Sequence, residues 1–408
     1  MNIILTIITI LIELAFGYFA LFALIGLGKP FERCPEPEGK LRFAFVLPVR
    51  NEEKVIGKLI ESLQEQDYPK ERYDIWVILN NSTDRSGEIA RAMGTKVLEA
   101  DVPVHCKGDA LSFAFDKLMP METYDAFAIF DTDNVVDPGF LAEMNRKLAS
   151  GKNIVQGRRV GKNAAANLMT GCYEIFYTMQ NALFNHSRTA MGASGSLNGT
   201  AWVIRADWIR EHGFAMKTMT EDLELAAVAA LKGEKIGYAH EAVSYDEYPE
   251  DFRTSQRQFL RWSFGQVQCM RHYSPQLTKR FIKDGSISCL NMDLVFLAPV
   301  LVVSSIALFL IFALTSAHVL HPILGDSFSA PLAAALILAA FYGIICAGRL
   351  KCGNDVRIHP LSVAAFPLFL LTWLPQMIRS LFMRKLEWKP VVHDRAVGLE
   401  DVQELGKK

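Results

Sequence analysis

The chain lacks the cysteine spacings that build zinc sites or disulfide frameworks. Its seven cysteines, at positions 34, 106, 172, 269, 289, 346 and 352, include no CxxC, so reduced thiols in a cytosolic setting are expected. It lacks an excess of charge of either sign. With 43 basic and 44 acidic side chains the net charge is −1, which removes the basic field that nucleic-acid binding draws on. No Gly-x-Gly-x-x-Gly and no Walker-type loop occurs, which argues against dinucleotide oxidoreductase and ATPase chemistry. Internal repeats, low-complexity segments and an evident second-messenger-binding domain are missing as well.

What the 408 residues do have is hydrophobicity, at 50% of positions, concentrated at the two ends. Ile3 to Leu27 is apolar for about the length of a bilayer crossing, with Glu13 as its only charge. Glu13 reads either as a functional intramembrane acid or as part of a face packed on other helices. Leu294 to Thr315 and Pro331 to Ala347 are two further spans. The loop between them has no Lys or Arg, whereas Arg349, Lys351, Arg357, Arg379, Arg384, Lys385 and Lys389 follow. The positive-inside bias therefore places residues 28–290, 348–360 and the C-terminal tail in the cytoplasm, at the plasma membrane. Leu361 to Ile378, broken by Pro367 and Pro375, has basic ground on both sides and reads as re-entrant or interfacial, with a full crossing as the alternative. The expected organisation is a transmembrane helix over 1–28, a cytoplasmic domain over 40–275, membrane and interfacial helices over 276–380, and a tail over 381–408.

Strands and helices alternate between the spans. Phe43 to Leu47, Ile75 to Leu79, Lys96 to Leu98 and Ala126 to Phe130 read as strands. Helices are expected from Val55, with Asn51 as N-cap, from Ser86 to Met93 and from Ala110 to Leu118. This alternation argues for an α/β fold with a mainly parallel sheet.

Strand ends deliver polar groups to one edge: Asn51 and Glu52, then Asn80 to Asp84, then Asp131-Thr132-Asp133-Asn134. Ligands of open α/β sheets bind at that edge. Two hard carboxylates at i and i+2 suit Mg²⁺ or Mn²⁺, although a solvated turn would look the same. Without a phosphate cradle, a diphosphate would need a metal plus a cation such as Lys107. Gly192 to Thr200 is a flexible polar loop suited to close approach of a ligand, or an ordinary surface connection. Thr220-Glu221-Asp222 opens a helix, where acids are favoured by the helix dipole whatever the function. Arg253 to Met270 is a basic, aromatic helix with Gln258, Arg261 and Trp262 on one face, which also suits a snorkelling interfacial helix.

Taken together, Asp84, Asp131-Thr132-Asp133, Thr220-Glu221-Asp222 and Gln258-x-x-Arg261-Trp262 resemble, in that order, the motifs of membrane-bound processive synthases of glycosyltransferase family 2, relatives of cellulose, hyaluronan and poly-N-acetylglucosamine synthases. The resemblance covers roughly residues 40–275 and the flanking spans. It implies a glycosyltransferase A-type nucleotide-binding domain and metal-dependent, inverting transfer from a UDP-sugar. By resemblance, Asn51, Glu52, Asp84, Lys107, Asp131, Gln258, Arg261 and Trp262 would bind the nucleotide sugar. Asp133 would hold the metal and Asp222 would be the general base. Asn198, Gly199, Glu221 and Trp262 would face the acceptor. The acceptor would be a growing polysaccharide, or alternatively a membrane lipid such as diacylglycerol or polyprenyl phosphate. With few membrane helices, an export pore would need a partner subunit. His393 in the tail would gate the site or anchor at the interface.

Overall fold

The computed structural model describes residues 3–319, 330–353, 355–386 and 397–401. His393 lies outside them. An eight-stranded sheet runs in the order β3-β2-β1-β4-β7-β6-β8-β5. Its strands are β1 Phe43–Val49, β2 Tyr73–Leu79, β3 Lys96–Glu99, β4 Ala126–Ile129, β5 Val135–Val136, β6 Ile154–Gly161, β7 Trp202–Arg205 and β8 Gly237–Asp246. The half built from β3, β2, β1 and β4 is parallel. Beyond it β7 is antiparallel to both β4 and β6, and β6 is parallel to β8.

Strand periodicity decides the layers. Phe43, Phe45 and Leu47 of β1 join a core with Ile56, Leu59, Phe130 and Phe140, while Ala44 and Val46 join a second core with Leu111, Phe115, Trp202 and Leu225 on the opposite face. The first layer holds α2 Ile56–Gln64, α3 Ser86–Ala92 and, further along, α5 Phe140–Ala149; α4 Lys107–Leu118 covers the other face. α6 Leu168–Met179 continues through a π-helical stretch, Gln180–His186, into α7 Ser187–Ala190. Then come α8 Ala206–His212, α9 Glu221–Leu231, α10 Phe252–Asp284, α11 Ile287–Val319, α12 Ala330–Cys352 and α13 Ser362–Phe382, with α1 Ile3–Leu27 at the start.

Among the described residues three helices are long and apolar enough to cross a membrane: Thr6–Leu27, Ile287–Leu308 and Ser362–Phe382. The last, α13, is one continuous helix through Pro367 and Pro375, where the sequence suggested breaks. Trp373 secures it, lying flat on Phe259 of α10 (centroids 4.4 Å apart, planes 7° apart) and donating to Ser263 Oγ at 2.9 Å. Glu13 is exposed on α1 among the described residues. α2 starts at Ile56 with Val55 as its N-cap, so Asn51, at φ +59°, stands before the helix rather than capping it.

Candidate active site

The carboxyl ends of β1, β2 and β4, the 196–199 loop and the starts of α4 and α9 converge on one cavity of about 720 Å³. Lys107 is its electrostatic centre. As the first residue of α4 it is held by a capping box between Cys106 and Asp109. Its Nζ lies 2.5 Å from Asp131 Oδ1, 2.7 Å from the Gly199 carbonyl and 3.5 Å from Glu221 Oε1. Burial opposes the Lys107 charge, yet Asp131 and Glu221 outweigh it and hold the ammonium above the ordinary lysine range. Burial likewise pushes Asp131 up, but Lys107, Arg159 and Arg261 together bring it below the usual carboxylate range.

Glu221 and Asp222 behave differently. Burial raises both, and only part of that is offset, by Lys107 at Glu221 and by the Leu223 amide and Lys107 at Asp222. A half-buried carboxylate with raised proton affinity has the character of a general base. A methyl group built on Gly199 would lie 3.9 Å from Asp222 Oδ2, so the loop backbone runs directly beside this acid. Gly199 has φ +87°, a conformation glycine adopts without cost.

Eleven of the thirteen expected residues line the cavity: Glu52, Lys107, Asp131, Asp133, Asn198, Gly199, Glu221, Asp222, Gln258, Arg261 and Trp262. Asn51 and Asp84 do not. Asn51 Oδ1 accepts from Thr83 N at 2.7 Å, while Asp84 accepts from Glu53 N (2.9 Å), Ser86 N (3.0 Å) and Ser86 Oγ (2.7 Å). The Asn51 amide and the Asp84 carboxylate thus stitch the β1 and β2 loops together beside the cavity. Asn80, at the end of β2, lines the cavity in their place, as does Arg50.

Asn134 is also a linking residue. Its Nδ2 donates to Asp246 Oδ1 at 2.9 Å, and its Oδ1 accepts from Asp131 N at 3.3 Å and from Thr200 Oγ1. Sequence reasoning missed Arg159, Asp246, Tyr177 and Tyr248. The available signal was two adjacent arginines, Arg158 and Arg159, inside an otherwise apolar strand, where an unpaired charge is costly.

Among the described residues no group of three or more His, Cys, Asp or Glu side chains is arranged around a common metal position. The acid pair nonetheless fits a hard divalent cation. Burial and the charges of Asp133 and Asp131 push Glu52 up to about 8, the mark of a concentration of negative charge that such a cation would relieve.

The cavity has a second arm with different chemistry. Val295, Ala298, Val302 and Ile306 of α11 face it at helical spacing, opposite Leu370, Leu371, Leu374 and Met377 of α13, with Phe19 of α1 beside them. Tyr177, Tyr248 and Trp262 line the same cavity, with Tyr177 and Tyr248 stacked at 5.4 Å.

The comparisons agree with this architecture. Residues 126–346, more than half of the chain, match the family described as glycosyl transferase family group 2. The chain is 26% identical over 389 residues to a beta-monoglucosyldiacylglycerol synthase of Nostoc sp. (strain PCC 7120 / SAG 25.82 / UTEX 2576), covering 90% of this chain and 79% of that one. It is 27% identical over 253 residues to a probable glucomannan 4-beta-mannosyltransferase 3 of Arabidopsis thaliana, covering 59% of this chain but 45% of that one. The solved mannosyltransferase PcManGT from Pyrobaculum calidifontis, in complex with GDP-Man and Mn²⁺, shares the fold: TM-score 0.60 at 17% identity, over 92% of this chain and 98% of that chain. The chain belongs to glycosyl transferase family group 2 and is a glycosyltransferase.

Proposed function

We propose that the protein transfers a sugar from a UDP-sugar to the hydroxyl of a lipid acceptor at the cytoplasmic face of the plasma membrane, with inversion at the anomeric carbon. The observation that carries this reading is the continuity of the cavity. One arm ends in carboxylates and cations, and the other runs between α1, α11 and α13, each apolar enough for a bilayer. A hydroxyl-bearing head group would then sit at Asp222 while its hydrocarbon lies along Val295 to Ile306. The Nostoc relative, named for a glucosyldiacylglycerol product, supports the same class.

In this reading Asp222 takes the proton of the acceptor hydroxyl. The oxygen attacks the anomeric carbon, and the bond to the diphosphate breaks on the opposite side. Arg261 presents a guanidinium fork to the diphosphate, Lys107 adds a point charge, and Glu52 with Asp131 borders the donor. Gln258 and Trp262 line the junction, where Trp262 gives a flat apolar face for the sugar. Asn198, Gly199 and Glu221 border the acceptor side. Asp133 would hold Mg²⁺ or Mn²⁺, which supplies charge neutralisation on the leaving diphosphate.

A second reading, extension of a polysaccharide, is favoured by the placement of Gln258, Arg261 and Trp262 together at the junction and by the glucomannan mannosyltransferase relatives. The two separate by which acceptor accelerates UDP release. The lipid reading expects stimulation by a short-chain diacylglycerol in mixed micelles and none by soluble oligosaccharides. The reverse pattern would favour the polymer.

A further inference from the structure

Arg159 of β6 is largely buried and lines the cavity next to the acids of the site. Its strand carries a local irregularity: Gly157 pairs with Ala239 of β8, and the next residue, Arg158, pairs with Val243. Only glycine fits at 157, because a methyl there would come within 2.7 Å of the Ala242 carbonyl. The bulge precedes two arginines that find different acids. Arg158 pairs with Asp355 at 2.5 Å, in the connection between α12 and α13, and Arg159 pairs through Nε with Asp246 of β8.

The side chains of Arg159 and Asp246 are 12% and 2% exposed. Arg159 also donates from its terminal nitrogen to the Asn198 carbonyl and lies over the Tyr177 ring, 4.3 Å from its centroid. Asp246 accepts in addition from Asn134 Nδ2 at 2.9 Å. Asn134 in turn accepts from Asp131 N and Thr200 Oγ1, and Thr200 Oγ1 accepts from Asp131 N at 2.9 Å. A continuous polar chain thus runs from the backbone of the Asp131 loop, through Asn134, Asp246 and Arg159, to the Asn198–Gly199 backbone beside Asp222.

We propose that Arg159 and Asp246 are a positioning pair, whose fork-shaped contact holds the acceptor loop in register with the donor-side acid loop, so that acceptor hydroxyl and anomeric carbon meet at Asp222. This rests on the transfer reading above. Arg159 lines the cavity, and the pair sets the two loops through Asn198, Gly199 and Asn134. Burial pushes Asp246 up to about 7, against the opposing pull of the Arg159 guanidinium. A lysine could keep the charge but could not serve Asp246 and the Asn198 carbonyl with a planar fork.

The test compares Arg159→Lys, Asp246→Asn and Asp222→Asn in the full-length protein, measuring transfer kcat and, by calorimetry, UDP affinity with Mn²⁺. For Arg159→Lys we expect kcat to fall about a hundredfold while the UDP Kd stays within about twofold of the native protein, since small misplacements of reacting groups cost rate rather than donor affinity. Native turnover in Arg159→Lys, or a parallel loss of UDP affinity, overturns the proposal. Should Arg159→Lys fail to bind UDP because it does not fold, the near-isosteric Asp246→Asn carries the same two expectations. Full transfer by Asp222→Asn would sink the transfer reading itself, whatever the Arg159 variants do.

Discussion

Thr220, the residue before the acidic pair, rests on Gly265 of α10 so closely that a methyl at 265 would lie 2.4 Å from Thr220 Cγ2. The contact belongs to a broader docking of α9 onto α10. The Met219 amide donates to Gln268 Oε1 at 3.0 Å, and Tyr273 donates to Glu224 Oε1 at 2.6 Å. Asp222 and the Gln258–Trp262 segment are therefore carried by one packed unit. Gly265→Ala is expected to lower transfer by about tenfold and to reduce Tm, since overpacking of this kind costs about 1–3 kcal/mol. Adding Thr220→Ala should recover part of both losses. Unchanged activity in the single variant would mean that the α9–α10 contact does not position Asp222.

Asp222→Asn should reduce transfer by about a thousandfold, the usual range for loss of a general base. UDP affinity should remain. Burial raises Asp222 above the ordinary aspartate value, and a base works only when ionised. The acid limb of kcat/KM should therefore lie above pH 3.8, with activity disappearing as pH falls through it. Steady-state rates across the pH range read this directly.

Glu52 makes the opposite kind of contribution to stability. Its folded-state value is pushed from 4.5 up to about 8, first by burial and then by Asp133, Asp131 and Asp84. A raised carboxyl is destabilising once it must ionise, so this cost begins above the unfolded value and is fully present above the folded one. With metal chelated, Glu52→Gln should melt higher than the native protein at pH 8.5. The gap should narrow toward pH 4.5. A thermal-shift series with no pH-dependent gap would refute the assignment.

Ala298 offers a way to fill the apolar arm without touching the acids. Ala298→Trp should raise the acceptor KM about tenfold, by analogy with the cost of misfitting a hydrophobic pocket, while the UDP Kd is unaffected. Equal effects on donor and acceptor would argue that the arm is not an acceptor site.

Much of this site was legible from residue order because it is built at strand ends. The apolar runs of β1, β2 and β4 mark where a crevice must open, and the polar residues just past them fall into it. Asn51 and Asp84 lie beside the cavity lining rather than in it, because polar side chains that bond neighbouring loop backbone have the same residue types as those that face a ligand. Arg159 and Asp246 were missed for a different reason: their pairing depends on the β6–β8 bulge, a long-range register that no local pattern encodes. Helix α10 runs to Asp284, well past the expected Met270, carried through Pro275 by burial of Leu277 against the second core. The apolar arm was invisible because Val295 to Ile306 read as part of a membrane span and Leu370 to Met377 as part of a re-entrant or interfacial segment, and only packing shows that both line one cavity.

One cavity joins the acids of the site to the apolar side chains of α11 and α13, as a lipid acceptor would need. Transfer to such an acceptor is tested most directly by incubating the purified protein with a radiolabelled UDP-sugar, Mn²⁺ and vesicles containing diacylglycerol, then partitioning the product. The account predicts label in the chloroform phase that depends on Asp222. Label in a water-soluble polymer of high mass, with none in the lipid phase, would contradict it.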